Sequence, residues 1–302
     1  MKNRSLIDVR TNEVDLDGRR DWALSPDHGD DPEGRYFLVQ DPFNIRKAVI
    51  PVFYGERDGS LRGLGTAFGI SRDGILLTAD HVISELRVRS RNTNSGNKNP
   101  TFENPHGEAL CVFLSPGLVY GTHGITTEFF PNIVSVRTPI KAGDDPLKNL
   151  RGEDNFTPAD VSVLKTQPLS AELHTLPLHL RPDYPKVGDQ VVAIGYPQID
   201  SIREEMPRFV NRVTEGMYAS YGHVTAIHPD GRDKANGTPV FEVDANWPSG
   251  MSGGPVLNAH GKVIGLVSRS LEASDEHPGV GWAVWLGRLP EVGHAVRQTI
   301  FS

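Results

Sequence analysis

The chain has 302 residues, 37% of them apolar and 23% charged, with a net charge of −7. That is enough chain for one large or two ordinary domains with substantial cores. The negative balance excludes a broad electropositive surface for nucleic acid or anionic lipid, and no apolar run approaches the ~18 residues of a membrane span.

A single cysteine, Cys111, excludes an intramolecular disulfide. The start, "MKNRSLIDVRTNEVDLDGRRD", lacks the apolar core of a secretory signal. Both features favour a reducing, cytoplasmic setting. Cys111 itself sits in the apolar run "ALCVFL" and reads as a buried strand residue rather than a reactive thiol.

Residues 1–45 are polar, charged and weakly periodic, and read as an N-terminal arm. From residue 46 the texture changes. "KAVIPVFYG" (47–55), "GLGTAFGIS" (63–71), "GILLTADHVI" (74–83), "EALCVFL" (108–114), "NIVSVRT" (132–138) and "ADVSVLKT" (159–166) are short apolar runs punctuated by turn residues, and each reads as a strand. Polar insertions at 89–108 and 141–158 read as loops. The densest basic cluster, "RVRSR" (87–91), reads as a solvated loop face.

A second series follows: "DQVVAIGYP" (189–197), "MYASYGHVTAI" (217–227), "PVFEVDA" (239–245), "GPVLNAHGKVIGLVSRS" (254–270) and "GVGWAVWL" (279–286). "NAHGK" is a hairpin turn between two of these strands. Leu286, Leu289, Val292, Val296 and Ile300 recur at three and four residues, which predicts a short C-terminal helix with one apolar face. Together with 31 glycines and 23 prolines, two such series predict an all-β protein of two packed barrels or sandwiches. The first spans 46–170 and the second 171–302.

Chemistry concentrates in "NWPSGMSGGPV" (246–256). A serine hydroxyl is a poor nucleophile unless a base takes its proton and donors receive the oxyanion. Glycines around Ser252 permit a tight bend that aims the amides of Gly250 and Ser252 at one point. "LLTADHVI" places His81 at a strand end, and "PADVSVLKT" places Asp160 where an alternating apolar strand opens. Base, acid and nucleophile thus occur in the order His, Asp, Ser, one of few known for a serine triad. His81 and Asp160 lie 79 residues apart. Asp144, Asp145 and Asp154 lie in the intervening insertion, but only Asp160 opens a strand of alternating pattern. Asp80, next to His81, points away from the imidazole if strand geometry continues.

On these stretches the chain resembles the chymotrypsin/trypsin-like serine peptidase family, most closely the bacterial type and the HtrA protease core without its PDZ domain. The resemblance spans residues 47–286 with gaps. It implies two six-stranded antiparallel β-barrels with a short C-terminal helix and an active site between the barrels. His81 and Asp160 would come from the first barrel and Ser252 from the second. It further implies an oxyanion hole of Gly250 and Ser252, and support of Asp160 by Ser268. Ser268, Arg269 and Ser270 would line the strand that pairs with an extended substrate, and Ser270 and Gly279 the walls of the primary specificity pocket; Ser249, which lacks a following glycine pair, is read as lining the substrate cleft. Asn246 would lie at the base of that pocket. Being neutral, it predicts cleavage after a neutral residue rather than Arg or Lys. Met251 stands where relatives activated by trimming carry an aspartate.

The expected function is therefore a serine endopeptidase of protein or peptide substrates. Two alternatives use the same fold: a non-catalytic binding module, and an esterase with the same triad. No cofactor, nucleic-acid partner or membrane partner is expected. His106, His123, His174, His179 and His260 lack the spacing of metal ligands.

Overall fold

The computed structural model describes residues 8–10, 21–23, 36–39, 45–56, 60–84, 101–103, 110–114, 121–125, 127–142, 147, 150–151, 156–170, 173–181, 184–197, 200–204, 210–233, 237–271 and 279–300. The basic cluster 87–91, His106 and the alternative acids Asp144, Asp145 and Asp154 lie outside these. So does most of the two polar insertions.

The apolar runs of the first series form six antiparallel strands. They are β1 (Val49–Gly55), β2 (Leu61–Gly69), β3 (Ile75–Thr78), β4 (Leu110–Val112), β5 (Ile133–Ala142) and β6 (Ser162–Thr166). Their order is β5-β6-β3-β2-β1-β4. The ring closes where Cys111 bridges Asn132, with Val112 N–H donating to the Pro131 carbonyl at 3.1 Å. Cys111 is buried, and burial pushes its thiol up to about 12, so it is inert packing as its sequence context implies.

The second series gives β7 (Gln190–Gly195), β8 (Tyr218–His228), β9 (Val240–Val243), β10 (Pro255–Asn258), β11 (Val263–Leu271) and β12 (Val280–Trp285). These run in the order β7-β10-β11-β12-β9-β8 and close by pairing β7 with β8. The expected pair of six-stranded barrels is present. β7 shows why its sequence is almost wholly apolar. Val192 and Ile194 join the core shared with the first barrel, whereas Val191 and Ala193 join the second barrel's own core. A strand covered on both faces has no polar side to show. "NAHGK" turns as predicted: Asn258 Oδ1 accepts from the amides of His260 and Lys262, and Gly261 takes φ +67°.

Two features depart from a division into successive halves. Part of the N-terminal arm is ordered: Asp8–Arg10 pairs with Asp21–Ala23, and Tyr36–Leu38 pairs with β8 of the second barrel. The C-terminal helix α2 (Pro290–Ile300) packs on β5 and β6 of the first barrel, with Leu289, Val292 and Ala295 buried there. Each end of the chain therefore grips the barrel formed by the other half. Segments this short could not reveal this, because a run of two or three apolar residues does not say which barrel it joins. A separate sheet joins Gly121–Ile125, Asp200–Glu204 and Val210–Glu215.

The barrels meet at Thr66 of β2, which is fully buried. Its N–H donates to the Ser252 carbonyl at 2.8 Å and its hydroxyl to the Gly250 carbonyl at 2.8 Å. The hydroxyl oxygen accepts from Tyr196 N–H at 3.0 Å, and the Thr66 carbonyl accepts from Thr78 Oγ1 at 2.6 Å. Valine has nearly the same shape but no hydroxyl. Thr66→Val should take the hydroxyl partner from the buried Tyr196 N–H and the part-buried Gly250 carbonyl and destabilise the protein by about 1–3 kcal/mol, measured from the urea midpoint.

Candidate active site

His81 does not lie on a strand. β3 ends at Thr78, and the chain turns into a one-turn helix α1, Asp80–Ile83, which carries His81. The helical turn sends neighbouring side chains apart. Asp80 is 5% exposed and accepts hydrogen bonds from Thr138 Oγ1 (2.7 Å) and Ser162 Oγ (2.9 Å) inside the first barrel. His81 remains about one-third exposed and faces Asp160. Asp80 thus turns from the imidazole, as expected, but for a helical rather than a strand reason.

Asp160 precedes β6 and meets His81 closely. His81 Nδ1 lies 2.9 Å from Oδ1 and 3.1 Å from Oδ2, and the His81 backbone N–H donates to Oδ1 at 3.0 Å. Ser268 Oγ of β11 donates to Oδ2. The Asp160 N–H donates to Thr238 Oγ1 at 3.0 Å, from the residues just before β9. Two hydroxyls of the second barrel therefore hold an acid of the first. Burial alone would push the Asp160 carboxyl up. The hydrogen bond and charge of His81, together with Ser268 and the His81 amide, instead hold it below the usual aspartate range.

Ser252 lies in the turn before β10. Its hydroxyl donates to the Ser268 carbonyl at 3.3 Å. Ser268 thus touches both partners, Asp160 through its side chain and Ser252 through its backbone. Gly250 takes φ +96° and Gly253 φ +85°, conformations that favour glycine. A Cβ on Gly253 would fall 2.1 Å from the Thr66 carbonyl, so the turn is pressed directly on β2. Among the described residues, the amides of Gly250 and Ser252 donate to no protein acceptor.

The remaining predicted residues distribute unevenly. Ser249 is exposed beside this turn. Ser268 is buried, while Arg269 is exposed on the cleft rim. Ser270 Oγ donates to the Trp247 carbonyl at 2.5 Å, tying β11 to the segment that carries Asn246. Asn246 is half-buried, its carbonyl accepting from Ser220 Oγ at 2.8 Å. Gly279 is buried with φ +88°. Met251 is fully buried among Trp247, Ala193 and Val256, so it packs.

Three contributors escaped the sequence reading: Thr66, Thr238 and Trp247. The Trp247 ring lies 2.2 Å from where a Gly281 Cβ would sit, so that glycine is dictated by the indole. Thr66 carried one signal, a hydroxyl within the apolar stretch Gly63–Gly69 of β2. No group of three His, Cys, Asp or Glu among the described residues could hold a metal ion. None of their helices is long and apolar enough to cross a membrane.

Residues 65–266 match the family model for the trypsin-like peptidase domain. The serine endoprotease DegS of Escherichia coli K12 is 30% identical over 138 residues, covering 45% of this chain and 34% of the relative. A probable periplasmic serine endoprotease, DegP-like, of Pseudomonas fluorescens is 26% identical over 246 residues, covering 80% of this chain and 37% of the relative. The chain thus spans about a third of the length of these curated relatives. Among solved structures, the active form of the Rv3671c protease from M. tuberculosis overlaps with a TM-score of 0.43 at 18% identity, over 81% of this chain and 78% of that one.

The Asp160 environment has a measurable consequence. A depressed folded-state pKa contributes stability that is complete above the unfolded aspartate pKa and is lost as pH falls through the folded value. Below about pH 4, wild-type Tm should therefore fall more steeply with pH than that of Asp160→Asn, followed by thermal melts across an acid titration.

Proposed function

Because the chain belongs to the trypsin-like peptidase family, we propose that it is a serine endopeptidase acting on protein substrates through His81, Asp160 and Ser252. One observation carries this reading: the linked geometry around Ser268. Its hydroxyl donates to Asp160, which accepts from His81, while its carbonyl accepts from Ser252.

The Nδ1–H of His81 donates to Asp160, which leaves Nε2 as the basic nitrogen. For reaction, the Ser252 hydroxyl leaves the Ser268 carbonyl and turns to His81. Nε2 takes its proton as Oγ bonds to the substrate carbonyl carbon. Asp160, held ionised, stabilises the imidazolium. The carbonyl oxygen becomes an oxyanion between the free amides of Gly250 and Ser252. His81 then delivers its proton to the leaving amine, and the C–N bond breaks to give an acyl-enzyme. A water, deprotonated by His81, releases the acid and restores Ser252.

Asn246 supports cleavage after a neutral residue, and β11 running past its last pair with β10 at Leu266, with Arg269 and Ser270 paired to β12 alone, supports an extended substrate strand along 268–270. The division at 46–170 and 171–302 remains our reading of the catalytic halves, with both chain ends crossing over. A cytoplasmic site is supported by the single reduced-type Cys111, and subcellular fractionation decides between it and the periplasm named for some relatives.

A fluorophosphonate probe tests the assignment. Wild type should label and Ser252→Ala should not; an unlabelled wild type would leave the non-catalytic module as the function. Asp160→Asn should lower kcat by about 10⁴-fold on any peptide the wild type cleaves. Met251 offers no carboxylate to pair with a new N-terminus. The 302-residue chain should therefore label without trimming of residues 1–45, read by mass spectrometry of the undigested labelled protein.

A further inference from the structure

Beside His81 and Asp160 the cleft opens into a pocket of about 350 Å³. Its lining includes His81, Asp160 and Ser268 together with Arg232, Arg269 and Trp282. Trp282 is a fixed platform: its indole N–H donates to Glu242 Oε2 at 3.2 Å, and that carboxylate also accepts from Thr225 Oγ1 at 2.9 Å. Arg232 lies over the Trp282 ring with its guanidinium 4.7 Å from the centroid. Among the described residues its one anion contact is a long one, Nε to Asp233 at 3.4 Å, between two half-exposed side chains. Contacts of that kind contribute little. Arg269 is exposed, and among the described residues its side chain makes no hydrogen bond or ion pair.

The acids in the lining do not offset these charges. Asp160 is occupied by His81 and Ser268. Asp80 is 5% exposed and occupied by Thr138 and Ser162. The pocket thus presents two guanidinium groups, one stacked and one unpartnered, to whatever enters it. A planar fork of N–H donors suits a carboxylate.

We propose that this pocket selects an acidic side chain of the substrate, flanking the bond that Ser252 attacks. The inference rests on the peptidase reading above and adds its substrate class. Arg269 directly follows Ser268, whose carbonyl holds the Ser252 hydroxyl at 3.3 Å. A substrate extended along β11 rises about 3.3 Å per residue, so the side chain entering the pocket belongs within about three residues of the scissile bond. A lysine or arginine there meets like charge, and a neutral residue leaves Arg269 unpaired.

Internally quenched peptides that differ only by Glu, Gln or Lys at each position flanking the cleaved bond test this. At one position, kcat/KM should be about fivefold higher for Glu than for Gln, and lower again for Lys. The Glu/Gln ratio cancels any loss common to both peptides. It should fall toward one in Arg269→Gln and at high salt, and Arg269→Glu should favour Lys. Equal rates for Glu and Gln at every position would overturn the proposal. So would a ratio unchanged in both Arg269 variants and in Arg232→Gln. If the chain neither labels with fluorophosphonate nor cleaves, the peptidase reading alone fails. The pocket is then read by fluorescence anisotropy of the same peptides on Ser252→Ala protein. The order Glu, Gln, Lys of decreasing affinity is expected there, and equal affinities would overturn the inference.

Discussion

The candidate site depends first on Thr66. Its backbone N–H and hydroxyl take two carbonyls of the Ser252 turn, and its oxygen receives an amide of the second barrel. Thr66 and the Tyr196 amide are buried and the Gly250 carbonyl is part-buried, so each would carry a desolvation cost if left unpaired. The turn therefore has one satisfied arrangement against β2. In that arrangement the amides of Gly250 and Ser252 meet no acceptor among the described residues and are available to a ligand. Gly253 enforces the same closeness sterically, because any Cβ would strike the Thr66 carbonyl.

The dependence runs in both directions between the barrels. The turn bearing Ser252 belongs to the second barrel and is seated by Thr66 and Thr78 of the first. The acid belongs to the first and is seated by Thr238 and Ser268 of the second. Neither half holds its own reactive residue in place alone. The two chain ends add to this, with Tyr36–Leu38 extending the second sheet and α2 covering the first. The shared core through Val192, Ile194 and Tyr196 supplies the apolar burial that makes docking favourable.

Burial and reactivity are separated residue by residue along α1. Asp80 and His81 are neighbours in sequence, yet one is sealed among barrel hydroxyls and the other stays part-exposed over the cleft. That separation matters electrostatically. A carboxylate occupied by Thr138 and Ser162 does not compete with Asp160 for His81.

Much of this was legible beforehand for a local reason. Period-two apolar runs and turn residues mark strands through near-neighbour chemistry, so the two barrel series, the "NAHGK" turn and the apolar face of α2 could be read directly. His81, Asp160 and Ser252 stood out because each has a distinctive local context. The sequence alone determined those elements and which residue types were available for chemistry. Only the tertiary structure decided that Thr66 and Thr238 seat the site, that Trp247 dictates Gly281, that the chain ends cross between barrels, and that Arg232 and Arg269 share a pocket. These are contacts between residues far apart in the chain. Their energy comes from excluding water between surfaces that meet only after folding, and no local pattern records which surfaces those are.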